Sequence, residues 1–171
     1  MAPVQRAGIV VVIIFWLIFI VLFASFGLIV FLGAPFVPTK STDIDEIFDE
    51  LKIRKGALVV DMGSGDGRIL LSAVRHGYRA LGYELNPFLA IFSRLRLRKQ
   101  PDAKIVISDY WRGDVTKASV VFVFSATPFM ARLYDKLKAE LKPGAMVISY
   151  GFSFEGIKID QKIGSANIYQ F

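Results

Sequence analysis

The sequence predicts a doubly wound α/β domain: a mostly parallel sheet with helices on both faces and a β-hairpin at its end, preceded by one apolar transmembrane helix. Three observations predict it. From Ala57 to Tyr150, short β-branched runs alternate with amphipathic runs, the pattern of crossover units in a parallel sheet. A glycine-rich turn, "DMGSGDG" at Asp61–Gly67, separates the first strand from its helix. Ile9 to Leu32 carry no charge, with Ser25 as their one polar side chain.

The apolar run comes first. At 1.5 Å per residue it extends about 36 Å, enough for a ~30 Å hydrocarbon core. It is too long for the apolar core of a signal peptide and ends without an A-x-A-like site. Residues 1–33 therefore read as a membrane anchor, with residues 9–32 as the span. Arg6 precedes it, Lys40 follows, and acids come after Lys40, so charge sets no clear orientation. The prolines of "GAPFVPTKST" disfavour helix, which makes 34–42 a linker and flap and 43–171 the globular domain. Asp43 and Glu46 pair as an N-cap signal for a short helix whose inner face is Ile44, Ile47, Phe48 and Leu51.

Alternation follows. "ALVVD", "YRALGYE", "AKIVISD", "SVVFVF" and "AMVISY" read as five crossover strands. "GRILLSAVRHG" is a helix ending at Gly77, and "PFLAIFSRLRLRKQ" one with Pro87 in its first turn. "FMARLYDKLKAEL" is a third, closed by Pro143-Gly144. "GIKIDQKIG" and "ANIYQF" have no helix between them, so they form a terminal hairpin with one antiparallel strand. The whole is Rossmann-like.

Composition narrows the chemistry. Of 171 residues, 54% are hydrophobic, and the excess lies at the amino end. There is no cysteine, which excludes disulfides and thiolate metal sites, and the single histidine argues against an imidazole-built metal site. His76, beside Gly77, suits a donor role at a helix carboxyl end. Net charge is +6, and much of it sits in "SRLRLRKQ", Ser93–Gln100. That run reads first as a solvated helix face, then as a surface for anionic headgroups; nucleic acid comes third. Trp111 and Phe152 read as core or rim aromatics.

Ligands of open α/β sheets bind beyond the carboxyl ends of the strands, where "DMGSGDG" lies. Gly63 and Gly65 permit positive φ and leave the backbone bare; Gly67 lets the helix start close to the strand. A Walker loop needs Lys-Ser or Lys-Thr where Arg68-Ile69 stands, and a G-x-G-x-x-G fingerprint fails because Arg68 occupies its last position. Asp61 and Asp66 would repel a pyrophosphate. They suit a phosphate-free ligand bearing an ammonium and a sulfonium, as S-adenosyl-L-methionine does. Glu84 ends the second strand, where a carboxylate can take ribose hydroxyls, and Asp109 ends the third, where one can accept from an adenine amino group. The candidate cofactor residues are Asp61, Met62, Gly63, Ser64, Gly65, Gly67, Glu84, Leu85, Asn86, Asp109 and Tyr110.

"VVDMGSGDGRI" resembles motif I of the class I, seven-strand S-adenosylmethionine-dependent methyltransferases. With "PFVPT", "GYELNP", "SRLRLR" and "ISDYW" the chain is similar, from about Pro35 to Gly144, to one branch. That branch is the membrane-anchored lysine methyltransferases of the mitochondrial ADP/ATP carrier and ATP synthase c subunit, with their prokaryotic relatives. The resemblance implies a protein-lysine N-methyltransferase acting on a membrane-associated protein. It also implies a single-pass location in a bacterial or archaeal inner membrane, or in the mitochondrial inner membrane of a eukaryote, with "PFVPT" lining the site. No metal is expected from the cysteine and histidine counts, and no nucleic acid from the motif at the end of the fourth strand.

After the fourth strand stands "SATPF". Ser125 and Thr127 offer acceptors for a neutral amine, Pro128 and Phe129 offer walls, and Pro38 and Thr39 would close the site from the linker. The candidate catalytic residues are thus Ser125, Thr127 and Thr39, and the substrate-binding ones Pro38, Thr39, Pro128 and Phe129. Base and glutamine methyltransferases carry N/D-P-P-Y/F at this strand end, which "SATP" does not match. A phospholipid amine methyltransferase and a non-catalytic cofactor-binding module stay open beside the lysine reading.

Overall fold

In the computed structural model the described residues are 3–32, 41–51, 53–125 and 127–171, and within the first helix side chains are described at 8–21, 23 and 24. The chain divides into two compact units, Met1–Pro35 and Phe36–Phe171.

The first unit carries α1 (Pro3–Leu32). Residues Ile9 to Val21 are all exposed, and Trp16, Phe19 and Phe23 form an aromatic ladder along one side, with centroids 5.7 and 6.2 Å apart. Among the described residues no helix is long and apolar enough to cross a membrane. This contradicts the expected single-pass location, and a transmembrane anchor over 9–32 is left without support.

The second unit holds α2 (Ser41–Glu50), β1 (Leu58–Met62), α3 (Arg68–Arg75), β2 (Arg79–Glu84), α4 (Pro87–Arg96) and β3 (Ala103–Ile107). A 3₁₀ turn (Tyr110–Arg112), β4 (Val120–Val123), α5 (Thr127–Glu140), β5 (Met146–Tyr150), β6 (Gln161–Ile163) and β7 (Ala166–Gln170) follow. The seven strands form one sheet in the order β3-β2-β1-β4-β5-β7-β6. β1 to β5 pair in parallel, and β7 pairs antiparallel to both β5 and β6. The predicted α/β class, five crossover strands and terminal hairpin are present. The strand order reverses direction at β1, which has β2 on one side and β4 on the other.

Side-chain alternation divides the core into two layers. Val59, Leu70, Ala73, Ala80, Ala90 and Phe122 pack with the inner face of α2 in one. Val60, Met62, Val121, Met130, Leu133 and Leu137 form the other, under α5. The predicted inner face of α2 is in place: Ile44, Ile47, Phe48 and Leu51 are all buried. The helix begins at Ser41 rather than at the Asp43 cap, so Asp43 lies in its first turn, where it accepts a 2.5 Å bond from the Tyr150 hydroxyl. Asp45 accepts from the Ser72 hydroxyl. His76 is the C-cap residue of α3. Its ring stacks on Phe48 at 5.4 Å, its Nδ1 lies 2.8 Å from the Ser72 carbonyl, and its Nε2 lies 3.2 Å from Asp49. It staples α3 to α2.

Candidate functional site

Because β1 to β4 are parallel, their carboxyl ends share one edge of the sheet. That edge collects the glycine turn, Glu84–Asn86, Ser108–Tyr110 and the segment after β4. The turn is built from backbone. The Tyr83 carbonyl accepts from Gly63 and Ser64 N–H at 3.0 and 2.9 Å, and Gly67 N–H closes on the Ser64 carbonyl at 2.8 Å. Gly63 sits at φ +105° with open space where a Cβ would be, so a ligand can lie on bare backbone there. Gly67 differs from expectation in its neighbour. At φ +77° its Cβ would meet Ser93 Oγ at 2.1 Å, so the close approach it permits is to α4, not to the strand.

The acids divide. Asp61 lies opposite Gly82 in the β1–β2 register, and Glu84, two residues further along β2, points to the same face. Asp61 and Glu84 are both buried, at 4% and 6% exposure. Glu84 accepts from Gly65 N–H at Oε2 and from Asn86 N–H at Oε1, each at 2.7 Å. Burial raises its pKa, and those backbone bonds work against the rise. Burial, and then the charges of Glu84 and Asp66, push Asp61 up to about 8.

Asp66 is not a free acid facing the ligand. Arg68 binds it through Nε and its terminal nitrogen, the latter at 2.8 Å, and Arg96 from α4 adds a second 2.8 Å ion pair. Although burial pulls upward, those two cations hold its pKa below the usual carboxylate value. The repulsion expected from this residue against a pyrophosphate is therefore largely cancelled. Arg96 escaped the sequence reading because it lies thirty residues away, inside what read as a solvated basic face.

Other candidates take more modest places. Met62 is buried in the α5-side core, so only its backbone borders the edge. Asn86 caps α4, its Oδ1 accepting from Phe88 N–H at 2.9 Å, and Leu85 is exposed. Asp109 is half-buried, and one of its oxygens accepts from Trp111 N–H at 3.0 Å. Burial raises the Tyr110 phenol; its hydroxyl lies near Ser125, which tempers the rise without closing a hydrogen bond. Trp111 is a rim residue covered by the Arg132 guanidinium, 4.2 Å from its ring centroid. Phe152 packs edge-on to Phe124.

On the other side of β1, Ser125 is buried to 1% exposure and its hydroxyl has no hydrogen-bond partner among the described residues. Thr127 and Pro128 open α5 in exposed positions, and Phe129 is half-buried. Pro38 and Thr39 lie outside the described residues. Gly82 was missed in the sequence. A Cβ there would sit 2.6 Å from Ser64 and Leu70, and a glycine inside a strand is a signal of such close approach.

The model of the ANTKMT methyltransferase domain matches residues 61–161. The lysine N-methyltransferase of the ATP synthase c subunit from Mus musculus is 42% identical over 123 residues, 70% of this chain and 49% of the relative. The adenine nucleotide translocase lysine N-methyltransferase of Mus musculus is 38% identical over 125 residues, 71% and 54% of the two chains. A protein-lysine N-methyltransferase of Saccharolobus islandicus is 32% identical over 127 residues, 71% and 79%. The chain spans about half the length of the mammalian relatives it matches. Among solved structures, an RNA methyltransferase from Salinibacter ruber in complex with S-adenosyl-L-homocysteine superposes with a TM-score of 0.72 at 26% identity, covering 79% of this chain and 92% of that one.

Proposed function

Because the chain belongs to the ANTKMT methyltransferase family, we propose that this S-adenosylmethionine-dependent methyltransferase domain methylates a lysine side chain of a protein substrate. The observation that carries the cofactor half is the pair Asp61 and Glu84: buried acids, without an ion-pair partner among the described residues, beside the bare backbone of Gly63. Such a site fits a cationic nucleoside and disfavours a phosphate. S-adenosyl-L-methionine supplies an electrophilic methyl group on its sulfonium.

Asp61 is the proposed partner of the ligand's ammonium, Glu84 of its ribose hydroxyls and Asp109 of its adenine amino group. Gly63, Ser64, Gly65 and Gly67 form the floor, and Met62, Leu85, Asn86 and Tyr110 border it. On the substrate side a lysine must lose its proton, which at pH 7 costs roughly 4.6 kcal/mol from a reference pKa near 10.4. Ser125 supports the reaction as a buried acceptor that can orient the neutral amine. Thr127, Pro128 and Phe129 are the proposed neighbours, with Pro38 and Thr39 assigned by sequence position alone. Apolar walls disfavour the ammonium and exclude water, so positioning carries most of the rate.

The test is incubation with methyl-labelled S-adenosyl-L-methionine and cell extract, followed by separate recovery of protein, lipid and RNA. Label recovered as methyl-lysine after acid hydrolysis of the protein fraction is the expected result. Label confined to lipid or RNA assigns a different acceptor, and label in none of them leaves a binding module.

A further inference from the structure

We propose that Asp61 holds a proton in the ligand-free protein and releases it to solvent when the cationic amino-acid end of the cofactor binds, so that binding is coupled to the loss of one proton. This inference rests on the cofactor reading above and concerns the protonation of that site.

Three features of the geometry carry it. Asp61 lies opposite Gly82 in the register and Glu84 follows two residues along β2 on the same α3 face, close enough that the two carboxyl groups oppose each other's ionisation. Glu84 has both oxygens committed as acceptors, to Gly65 and Asn86 N–H, and these bonds favour its ionised form. The two guanidiniums beside the loop, Arg68 and Arg96, close on Asp66 instead, and among the described residues no cation pairs with Asp61. An ionised Asp61 would thus be buried at 4% exposure, near Glu84 and Asp66, with no cation among the described residues to compensate it. The neutral acid is the stable form, which agrees with the upward shift noted above.

The step balances simply. The O–H bond of Asp61 breaks and its proton goes to the buffer; the ligand's ammonium keeps its own protons and pairs with the carboxylate left behind. An α-amino group has a reference pKa of about 7.7–8.0, so the ligand arrives charged below neutrality. Since the bound state holds one proton fewer, affinity rises with pH. The slope approaches roughly tenfold per unit between about pH 5 and 7 and flattens near pH 8.

The experiment is titration calorimetry of the 171-residue chain with S-adenosyl-L-methionine at pH 6.5, in two buffers of different ionisation enthalpy. Wild type is expected to release about one proton per ligand, with dissociation constants near tenfold apart at pH 6 and pH 7. Asp61→Asn, which keeps shape and burial, is expected to release almost none and to bind with little pH dependence. Binding by wild type with no buffer-dependent heat overturns the proposal while leaving the cofactor site standing, and it needs no variant to fold. Release that persists in Asp61→Asn places the proton elsewhere and also overturns it. Absence of binding at every pH overturns the cofactor reading itself, and this inference with it.

Discussion

The two sides of β1 at the carboxyl edge of the sheet are built from different materials. On the β2 and β3 side lie buried acids, a left-handed glycine turn and carbonyl and N–H groups tied to neighbouring strands. On the β4 side lie a buried hydroxyl without a partner among the described residues, the exposed first turn of α5 and the half-buried rings of Phe124 and Phe129. The contrast follows from what each side is proposed to hold. A cofactor of fixed shape and charge is best bound by groups already in place. A lysine that must become neutral is served by surroundings that offer an acceptor and little to stabilise a cation. On that proposal one side supplies affinity, the other mainly turnover.

Substitutions can break or sharpen that contrast. The largest effect is expected from Gly67→Ala, because the new Cβ would overlap Ser93 Oγ in a fully buried spot at positive φ. Left-handed strain and overpacking together should lower stability by about 3 kcal/mol, read by urea denaturation. A loss under about 1 kcal/mol would mean that the turn and α4 can move apart.

Glu84→Gln comes next. It removes a charge that two backbone N–H groups and the proposed ribose depend on, so cofactor affinity should fall about 100-fold with kcat at saturating cofactor nearly preserved. Equal losses in both would show that the two sides are not separable.

Ser125→Ala is the mirror experiment. One hydrogen bond to the amine corresponds to about three- to tenfold in kcat, with cofactor affinity unchanged by calorimetry. Stability should hold, since the hydroxyl has no partner to lose. A weakened cofactor would place Ser125 on the wrong side of the division.

The smallest effect belongs to Arg96→Met. Its ion pair with Asp66 is partly exposed, at 31% for the arginine side chain, so about 0.5 kcal/mol of stability is at stake. Cofactor affinity should stay within about twofold. A larger fall would make the Asp66 cluster part of the binding surface.

Much of this was legible in residue order. Alternating apolar runs announced the crossover strands, Ile44, Ile47, Phe48 and Leu51 announced the buried face of α2, and the failed nucleotide motifs around Gly63–Arg68 narrowed the ligand. What residue order left out was the neighbours each side chain meets. Asp66 looked like a free acid until Arg96 was seen to reach it, Asn86 also caps α4 with its carbonyl oxygen, and the Met62 side chain packs in the core. The uncharged run over 9–32 suggested a membrane span, yet among the described residues no helix is long and apolar enough to make one.

The sequence by itself determined the elements and their order, because helix and strand periodicity, glycine turns and capping act over a few neighbouring residues. Only the tertiary structure decided which acids are compensated and which polar atoms are stranded. Those properties depend on groups brought together across the sheet and from α4, and on how much water the packing leaves beside them. A charge takes its chemistry from its surroundings, and the surroundings of Asp61, Glu84 and Asp66 exist only once the chain has folded.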